Sequence, residues 1–272
     1  MPTTLHTVSD SSAPALQTNH QPHAGTSTVT SPKRLARIAG VLYLFVGITG
    51  GFAEGFVEPK VYVAGDAAAT AANVVANSAL VRMGVVAHLV DGAFFALTAL
   101  TLYVLLKHVY KSVARAMLVF VVIAVGMISL NAVFQFEGLQ VATDGSYVTA
   151  FGAAGSNALV LLLLDIQHYG TLAAQVFFGL WLAPLGYLAY KSGLFPRALG
   201  VVLVVATASY LLDLLAAFSF PELAKQIHPF LIIAPAVGEI WMVVYLLVWG
   251  VKSPQATNRA PIAASGHATI AR

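Results

Sequence analysis

The sequence has no cysteine and very little charge. The lack of cysteine excludes disulfides, thiolate nucleophiles and thiolate metal ligands. Only 9% of the residues are charged, against about 25% in a typical soluble domain. A chain with so few charges cannot cover a water-facing surface, so it must be solvated by the lipid bilayer. Its 14 Lys and Arg residues form no basic face suited to nucleic acid, so no nucleic-acid partner is expected.

Long apolar runs account for most of the chain, in which 58% of the residues are hydrophobic. A helix needs about 20 predominantly apolar residues to cross the core of a bilayer. Six runs meet this requirement: residues 36–57, 81–106, 113–134, 164–190, 198–220 and 231–251. They predict an all-α polytopic membrane protein with six transmembrane helices.

The two ends of the chain differ from the rest in composition. The segment MPTTLHTVSDSSAPALQTNHQPHAGTSTVTSP is rich in Ser, Thr and Pro, and the residues after Lys252 have the same character. Neither segment can bury enough apolar surface to fold. We predict a disordered tail over residues 1–32, a six-helix transmembrane domain over residues 33–252, and a disordered tail over residues 253–272.

Lys and Arg are unequally distributed between the two ends of the predicted helices. Of the 14 basic residues, 11 fall on one side: Lys33, Arg34, Arg37, Lys107, Lys111, Arg115, Lys191, Arg197, Lys252, Arg259 and Arg272. The positive-inside rule places that side in the cytoplasm. We therefore expect a multi-pass protein of the cytoplasmic (inner) membrane with both termini in the cytoplasm.

Ionisable residues recur in the extracytoplasmic halves of the predicted helices. The candidates for ligand or ion binding are Glu54, His88, Asp91, Asp165, His168, Asp213 and Glu239. They predict a shared polar, acidic pocket that binds or passes a cation, a proton or a small polar solute. The competing interpretation is structural, because polar side chains also join helices in a membrane, by roughly 0.6 kcal/mol each.

The spacing of four candidates adds chemical detail. His88 and Asp91 are three residues apart, as are Asp165 and His168, and residues at this spacing share one face of a helix. Imidazole together with carboxylate is a ligand set for a divalent metal such as Zn, Fe or Mn. A carboxylate bonded to an imidazole also suits proton relay. The four residues therefore predict either a metal site or a proton path.

Asp213 and Glu239 lie on consecutive predicted helices joined by a short connection. Their positions predict matching depths in the membrane on antiparallel neighbours, within about one helical turn of 5.4 Å. Two carboxylates at one depth in a medium of low dielectric constant repel each other. We expect a cation, a proton or His168 to compensate their charge.

The spans also show a weak internal repeat. An Arg opens the first, third and fifth spans, and a polar residue follows each Arg by 16 or 17 positions. The pairs are Arg37 with Glu54, Arg115 with Asn131, and Arg197 with Asp213. This pattern predicts three helical hairpins in parallel orientation.

Two further local patterns concern the first span and the segment after it. Gly47, Gly51 and Gly55 recur at intervals of four residues, which is typical of close helix packing. We expect this stripe to pack inside the bundle, with dimerisation as the alternative, so an oligomer is not implied. Asp66 precedes an Ala-rich segment as a helix N-cap would, which predicts a short external helix.

Several blocks of the sequence, taken in order, resemble one protein family. LARIAGVLYL, GDAAATAANV, LDIQHYGTL, YKSGLFPRALG and GEIWM are together similar to a family of bacterial multi-pass membrane proteins catalogued as domain of unknown function 4386. The resemblance covers residues 32–252. It implies a six-helix protein of the bacterial cytoplasmic membrane, and it implies no activity, cofactor or catalytic residue.

Three functions are consistent with these patterns. The first is binding or transport of a cation, a proton or a small polar solute. The second is a membrane-embedded metal-dependent hydrolase of a lipid or amide, in which His168 and Asp165 would hold a metal that lowers the pKa of bound water, with Glu239 or Asp213 as the base. The third is an accessory or assembly subunit. Stoichiometric metal that disappears in His168→Ala would favour the hydrolase.

Overall fold

The computed structural model of the protein describes residues 31–252, and its regular elements in this range are all helical. The first span starts with α1, Pro32–Gly50, continues through a π-helical turn, Gly51–Val57, and ends in the single turn α2, Glu58–Val61. The remaining helices are α3 (Ala67–Ala76), α4 (Ser78–Leu106), α5 (Lys111–Thr143), α6 (Gly145–Ser192), α7 (Arg197–Ser219), α8 (Pro221–Leu231) and α9 (Ile233–Val248). The predicted tails lie outside the described range apart from Ser31 and Pro32, and they remain predictions.

Six helical segments are long and apolar enough to cross a membrane, which confirms the predicted number. They are Pro32–Val61, Ser78–Leu106, Lys111–Thr143, Gly145–Ser192, Arg197–Ser219 and Pro221–Val248. The chain is therefore an all-α multi-pass membrane protein, and lipid is its solvent.

α5 and α6 extend well beyond the predicted spans. The sequence predicted no helix over residues 135–163, whereas α5 continues to Thr143 and α6 already begins at Gly145. α6 is interrupted by a kink at Gly152, whose φ of 70° and ψ of 166° are not helical. The additional turns carry apolar side chains, among them Leu139, which pack with Val74 of α3 in one buried cluster. The apolar face of these turns packs against α3, which stabilises their helical conformation. The periodicity of α5 or α6 alone could not identify α3 as the packing partner.

α3 is the short helix that the Ala-rich segment predicted. The side chain of Asp66 accepts a hydrogen bond from the backbone N–H of Ala69 at 2.9 Å, as an N-cap does. α3 lies against α5 and α6. The end of the bundle where α3 lies is called the α3 end below.

The six spans form a ring that follows the order of the chain. Contacts join α1 to α4, α4 to α5, α5 to α6, α6 to α7, and α7 to α9, and α9 closes the ring against α1. Consecutive spans joined by short connections are antiparallel, so the ring contains three hairpins, as the internal repeat predicted.

The end of the ring opposite α3 is filled by apolar side chains. One buried cluster there includes Leu106, Met117, Leu188, Phe195 and Leu199. The loops and helix ends around this cluster carry Lys33, Arg34, Arg37, Lys107, Lys111, Arg115, Lys191, Arg197 and Lys252, so we call it the basic end. This apolar layer closes the interior of the ring at the basic end.

The closest helix contacts are made by glycines outside the predicted stripe. A Cβ atom built on Gly186 would lie 2.7 Å from the backbone oxygen of Gly200, between α6 and α7. At Gly47, Gly51 and Gly55 a Cβ atom would meet nothing within 4 Å. The prediction that the stripe packs inside the bundle is therefore wrong. Regular spacing shows only that three residues share a face, whereas the rotation of the helix decides what that face meets.

Candidate functional site

A cavity of about 210 Å³ lies inside the ring. We call it the central cavity. All six spans contribute to its lining, which includes Tyr43 and Glu54 from the first span, His88 and Asp91 from α4, Ile128 from α5, Thr171 from α6, Tyr210 from α7 and Glu239 from α9. The ring thus collects around one cavity the polar side chains that the sequence distributes over separate helices.

The π-helical turn sets the direction of the polar side chains on the first span. In an uninterrupted α-helix each residue advances by about 100°. Tyr62, which is 19 residues (62 − 43) after Tyr43, would then point about 100° away from Tyr43. A π-helical turn accommodates an additional residue, which returns Tyr62 to the face of Tyr43. Glu58, which follows this turn, also faces the interior. Glu54 is 11 residues (54 − 43) after Tyr43 and would lie about 20° from it without the turn.

Glu54 is held loosely. Its Oε1 lies 3.5 Å from Nε2 of His88 and 3.4 Å from the hydroxyl of Thr171, which donates to it. Both distances exceed the usual 2.7–3.2 Å for hydrogen bonds of this kind. His88 is 4% exposed, and its Nε2 has no hydrogen-bond partner. A buried imidazole nitrogen and a carboxylate thus face each other without a normal hydrogen bond.

Two further contacts continue from Glu54 toward the α3 end. Oε1 of Glu58 lies 2.5 Å from Nδ1 of His168. The hydroxyl of Tyr62 donates to Asp165 at 2.5 Å, and the Tyr62 and His168 rings stack with centroids 5.0 Å apart. Burial and the hydrogen bond to Asp165 raise the pKa of Tyr62 above its ordinary value, so its phenol stays a donor at physiological pH.

The deepest carboxylates of the central cavity belong to Asp91 and Glu239. Asp91 is 7% exposed and lies 3.2 Å from the hydroxyl of Thr49, which is also 2.7 Å from the backbone oxygen of Phe45. Glu239 accepts from two phenols, Tyr43 at 2.7 Å on Oε2 and Tyr210 at 3.0 Å on Oε1. Both oxygens of Glu239 are thus fixed by neutral donors.

A second cavity of about 280 Å³ lies beside the central cavity and shares Tyr210 and Glu239 with it. We call it the side cavity. Asp213 also lines it, with both carboxylate oxygens 3.0 and 2.8 Å from Nδ1 of His228. Asp213 and Glu239 therefore line one cavity, as their predicted depths suggested, but Asp213 contacts His228 and not His168.

None of the interior carboxylates pairs with Lys or Arg. In the part of the chain that the structure describes, the one Lys or Arg ion pair is between Lys225 and Glu222 on the exposed side of α8. The carboxylates inside the ring contact imidazoles and hydroxyls, and two of them, Glu54 and Glu58, also lie within hydrogen-bonding reach of each other. The carboxylates concerned are Glu54, Glu58, Asp91, Asp165 and Glu239. Their negative charge has no permanent counter-charge within residues 31–252.

The predicted site residues all lie in the described part of the chain, but their contacts differ from the predicted groupings. His88 contacts Glu54, and His168 contacts Glu58, so each imidazole contacts a carboxylate of the first span. No group of three or more His, Asp or Glu between residues 31 and 252 is arranged to hold a metal ion. The metal set of His168, Asp165, His88 and Asp91 is thus not assembled, and the hydrolase hypothesis gains no support from the geometry.

Several polar residues of the site were not predicted. Glu58 follows Glu54 by one helical turn, which was a usable signal, but it lies beyond the predicted end of the first span. The sequence favours an interface or packing role for Tyr43, and it places His228 in a connection between spans. The remaining residues without an assigned role were Tyr62 and Tyr210. A tyrosine in an apolar helix gives no sign of whether its hydroxyl will meet a carboxylate.

Comparison with known proteins gives a family and no activity. The model of a family described as "Domain of unknown function (DUF4386)" matches residues 38–250. A protein of Archaeoglobus fulgidus described as an uncharacterized protein is 27% identical over 154 residues, which are 57% of this chain and 75% of that protein. No solved structure matches the chain.

Proposed function

Because the chain belongs to the DUF4386 family, whose description states no activity, we propose its function from the geometry: it binds a cation or a proton in the central cavity of a membrane-embedded ring. The binding groups are Glu54, Asp91 and Glu239, with His88 opposite Glu54. The pairs Glu58–His168 and Tyr62–Asp165 form the path between this cavity and the α3 end.

The observation that carries this proposal is the lack of a permanent counter-charge inside the ring. An ionised carboxylate deep in a membrane costs about 2.5–3.5 kcal/mol on insertion scales. A buried charge also requires a partner or loses its charge. Since no Lys or Arg among the described residues reaches these carboxylates, each of them must hold a proton, an imidazolium or an external cation. We propose that these partners exchange with the surroundings, which makes the cavity a binding site.

The closed basic end gives the site a direction. Apolar side chains fill the ring there, whereas polar contacts continue from Glu54 through Glu58 to Asp165 at the other end. We propose that the ligand enters from the α3 end. With the basic end in the cytoplasm, this entrance faces the extracytoplasmic side.

The orientation can be tested with reporter fusions. A reporter fused after Lys252 is expected to be cytoplasmic, because the positive-inside rule retains the basic end in the cytoplasm. A reporter inserted near Ala69 or Gly145, at the α3 end, is expected to be exported. Activity of an alkaline phosphatase fusion, which requires export, distinguishes the two sides. Cytoplasmic signal from either insertion would reverse the direction of access.

The binding function can be tested with dicyclohexylcarbodiimide, which modifies protonated carboxyl groups in apolar surroundings. In the purified protein, Glu54 and Asp91 are expected to react, and peptide mass spectrometry locates the modification. Raising the pH, or adding a cation that binds in the cavity, should slow the reaction. Either change lowers the fraction of these carboxyl groups that is protonated. Glu222, which is exposed and paired with Lys225, is the internal control and should not react.

Two results would contradict the proposal. One is a lack of modification at both Glu54 and Asp91 at every pH. The other is modification whose rate responds neither to pH nor to Na⁺, K⁺ or organic cations. Either result would refute the exchange of protons at these carboxylates.

A further inference from the structure

Aromatic side chains form much of the wall of the central cavity. The lining includes Tyr43, Phe95, Phe178, Trp181 and Tyr210. Trp181 fixes two of these rings by edge contacts, to Phe95 with centroids 5.0 Å apart and to Tyr43 with centroids 5.4 Å apart. The rings therefore hold one another in place and form a preorganised aromatic wall.

Aromatic rings and carboxylates around one space are complementary to one class of ligand. The faces of Trp, Tyr and Phe attract cations, and cages of such rings recognise organic ammonium groups. Glu54, Asp91 and Glu239 supply negative charge on the same cavity. The Nε2 of His88, buried and without a partner, gives a further polar contact beside Glu54.

An inorganic ion fits this lining less well. Hard cations are held by a shell of six or more oxygen ligands, whereas both oxygens of Glu239 accept from phenols and much of the remaining wall is formed by apolar and aromatic side chains. An organic ammonium ion is complementary to both kinds of side chain in the wall. Its alkyl groups contact the aromatic rings, and its charge faces the carboxylates. The cavity, at about 210 Å³, is smaller than the ~300–1,000 Å³ of sites for drug-sized ligands.

We propose that the central cavity is a binding site for a small organic ammonium ion of about the size of choline. This inference rests on the proposed cation-binding function and specifies the class of cation. It predicts that the affinity for the ammonium ion decreases when an aromatic side chain of the wall is removed. It also predicts that the affinity decreases when the ligand loses its charge.

Choline and its uncharged isostere 3,3-dimethylbutan-1-ol separate charge from shape. We would measure binding of radiolabelled choline to the purified protein in lipid nanodiscs by equilibrium dialysis, with the isostere, Na⁺ and K⁺ as competitors. Unlabelled choline is expected to compete at least about tenfold better than the isostere, because removing one ionic interaction weakens binding by this factor or more. Na⁺ and K⁺ are expected to compete more weakly than choline.

Two adjacent phenylalanines on α4 provide a matched pair of variants. Phe95 lines the cavity, whereas Phe94 stacks on Phe45 with centroids 4.8 Å apart and does not line it. Phe95→Leu should weaken choline binding by roughly 2- to 30-fold, the range of cation–π contributions. Phe94→Leu should leave binding unchanged. Phe178→Leu is a second cavity variant that should behave like Phe95→Leu if the latter does not fold.

The outcomes distinguish this inference from the proposed function. If Na⁺ or K⁺ slows carbodiimide modification of Glu54 but choline competes no better than its isostere, the cavity binds inorganic cations and the inference is overturned. Equal loss of binding in Phe94→Leu and Phe95→Leu would also overturn it. If choline binds as expected while no carboxyl group reacts at any pH, the ammonium site remains and the exchange of protons at these carboxylates is refuted.

Discussion

Replacing Glu239 by glutamine is expected to weaken cation binding in the central cavity by roughly 30- to several-thousand-fold, which corresponds to about 2–5 kcal/mol for a buried charge interaction. Glutamine keeps the shape of the side chain but removes its charge. Tyr43 and Tyr210, which donate to Glu239 at 2.7 and 3.0 Å, can rotate their hydroxyls to meet the amide. The variant should therefore insert and fold, and equilibrium dialysis with radiolabelled choline measures the decrease in affinity.

The matched control for this change is Glu222→Gln, which removes an acid of the same type from the exposed face of α8, where it pairs with Lys225. It should bind choline like the parent protein. Asp213→Asn tests the side cavity separately. Asp213 lines this cavity together with Glu239, but its contact is with His228. Unchanged binding in Glu239→Gln would show that this carboxylate only joins α9 to α1 and α7.

Replacing Gly186 by alanine is expected to destabilise the ring strongly. The added Cβ atom would lie 2.7 Å from the backbone oxygen of Gly200 and 3.0 Å from Cβ of Leu203. Since neither a backbone atom nor a Cβ atom can rotate away, α6 and α7 must separate. Overpacking of this kind costs about 1–3 kcal/mol, which is roughly 2–12 °C in the unfolding midpoint of a domain of this size. Thermal unfolding of the detergent-solubilised protein measures it.

Gly51→Ala is the matched control, because an added Cβ atom there meets nothing within 4 Å. Alanine is favoured over glycine in a helix interior by roughly 0.5–1 kcal/mol, so this variant should be neutral or slightly more stable. The two substitutions are chemically identical, and only Gly186→Ala is expected to lose stability. A loss of stability at Gly51 equal to that at Gly186 would restore the predicted packing role of the glycine stripe.

The membrane architecture could be predicted from the sequence because it depends on composition summed over long segments. Each span contains about 20 apolar residues, and the bilayer imposes that length on any helix that crosses it. The N-cap at Asp66 was also predictable, since it depends on a side chain and a backbone group three residues away. The limits of α5 and α6 were not, because the apolar side chains of their outer turns pack with α3, which is distant in sequence.

The side chains of the candidate site were also recognisable in part, because an ionisable residue in an apolar helix is costly wherever it points. This reasoning identified His88, Asp91, His168 and Glu239 but not their partners. Each partner comes from another helix. For example, Nε2 of His88 lies 3.5 Å from Oε1 of Glu54. Spacing within one helix favoured pairs such as His88 with Asp91, which the structure does not form.

The sequence by itself thus determined six lipid-solvated helices, the separation of basic and acidic ends, and the presence of an acidic layer, because these properties follow from local composition. Only the tertiary structure decided the pairing of the polar groups and the position of the aromatic wall. The rotation of each helix about its axis fixes both, and it depends on close contacts such as Gly186 with Gly200 and on the π-helical turn that brings Tyr62 back to the inner face. Such contacts involve residues distant in sequence, and no single helix contains the information that sets them.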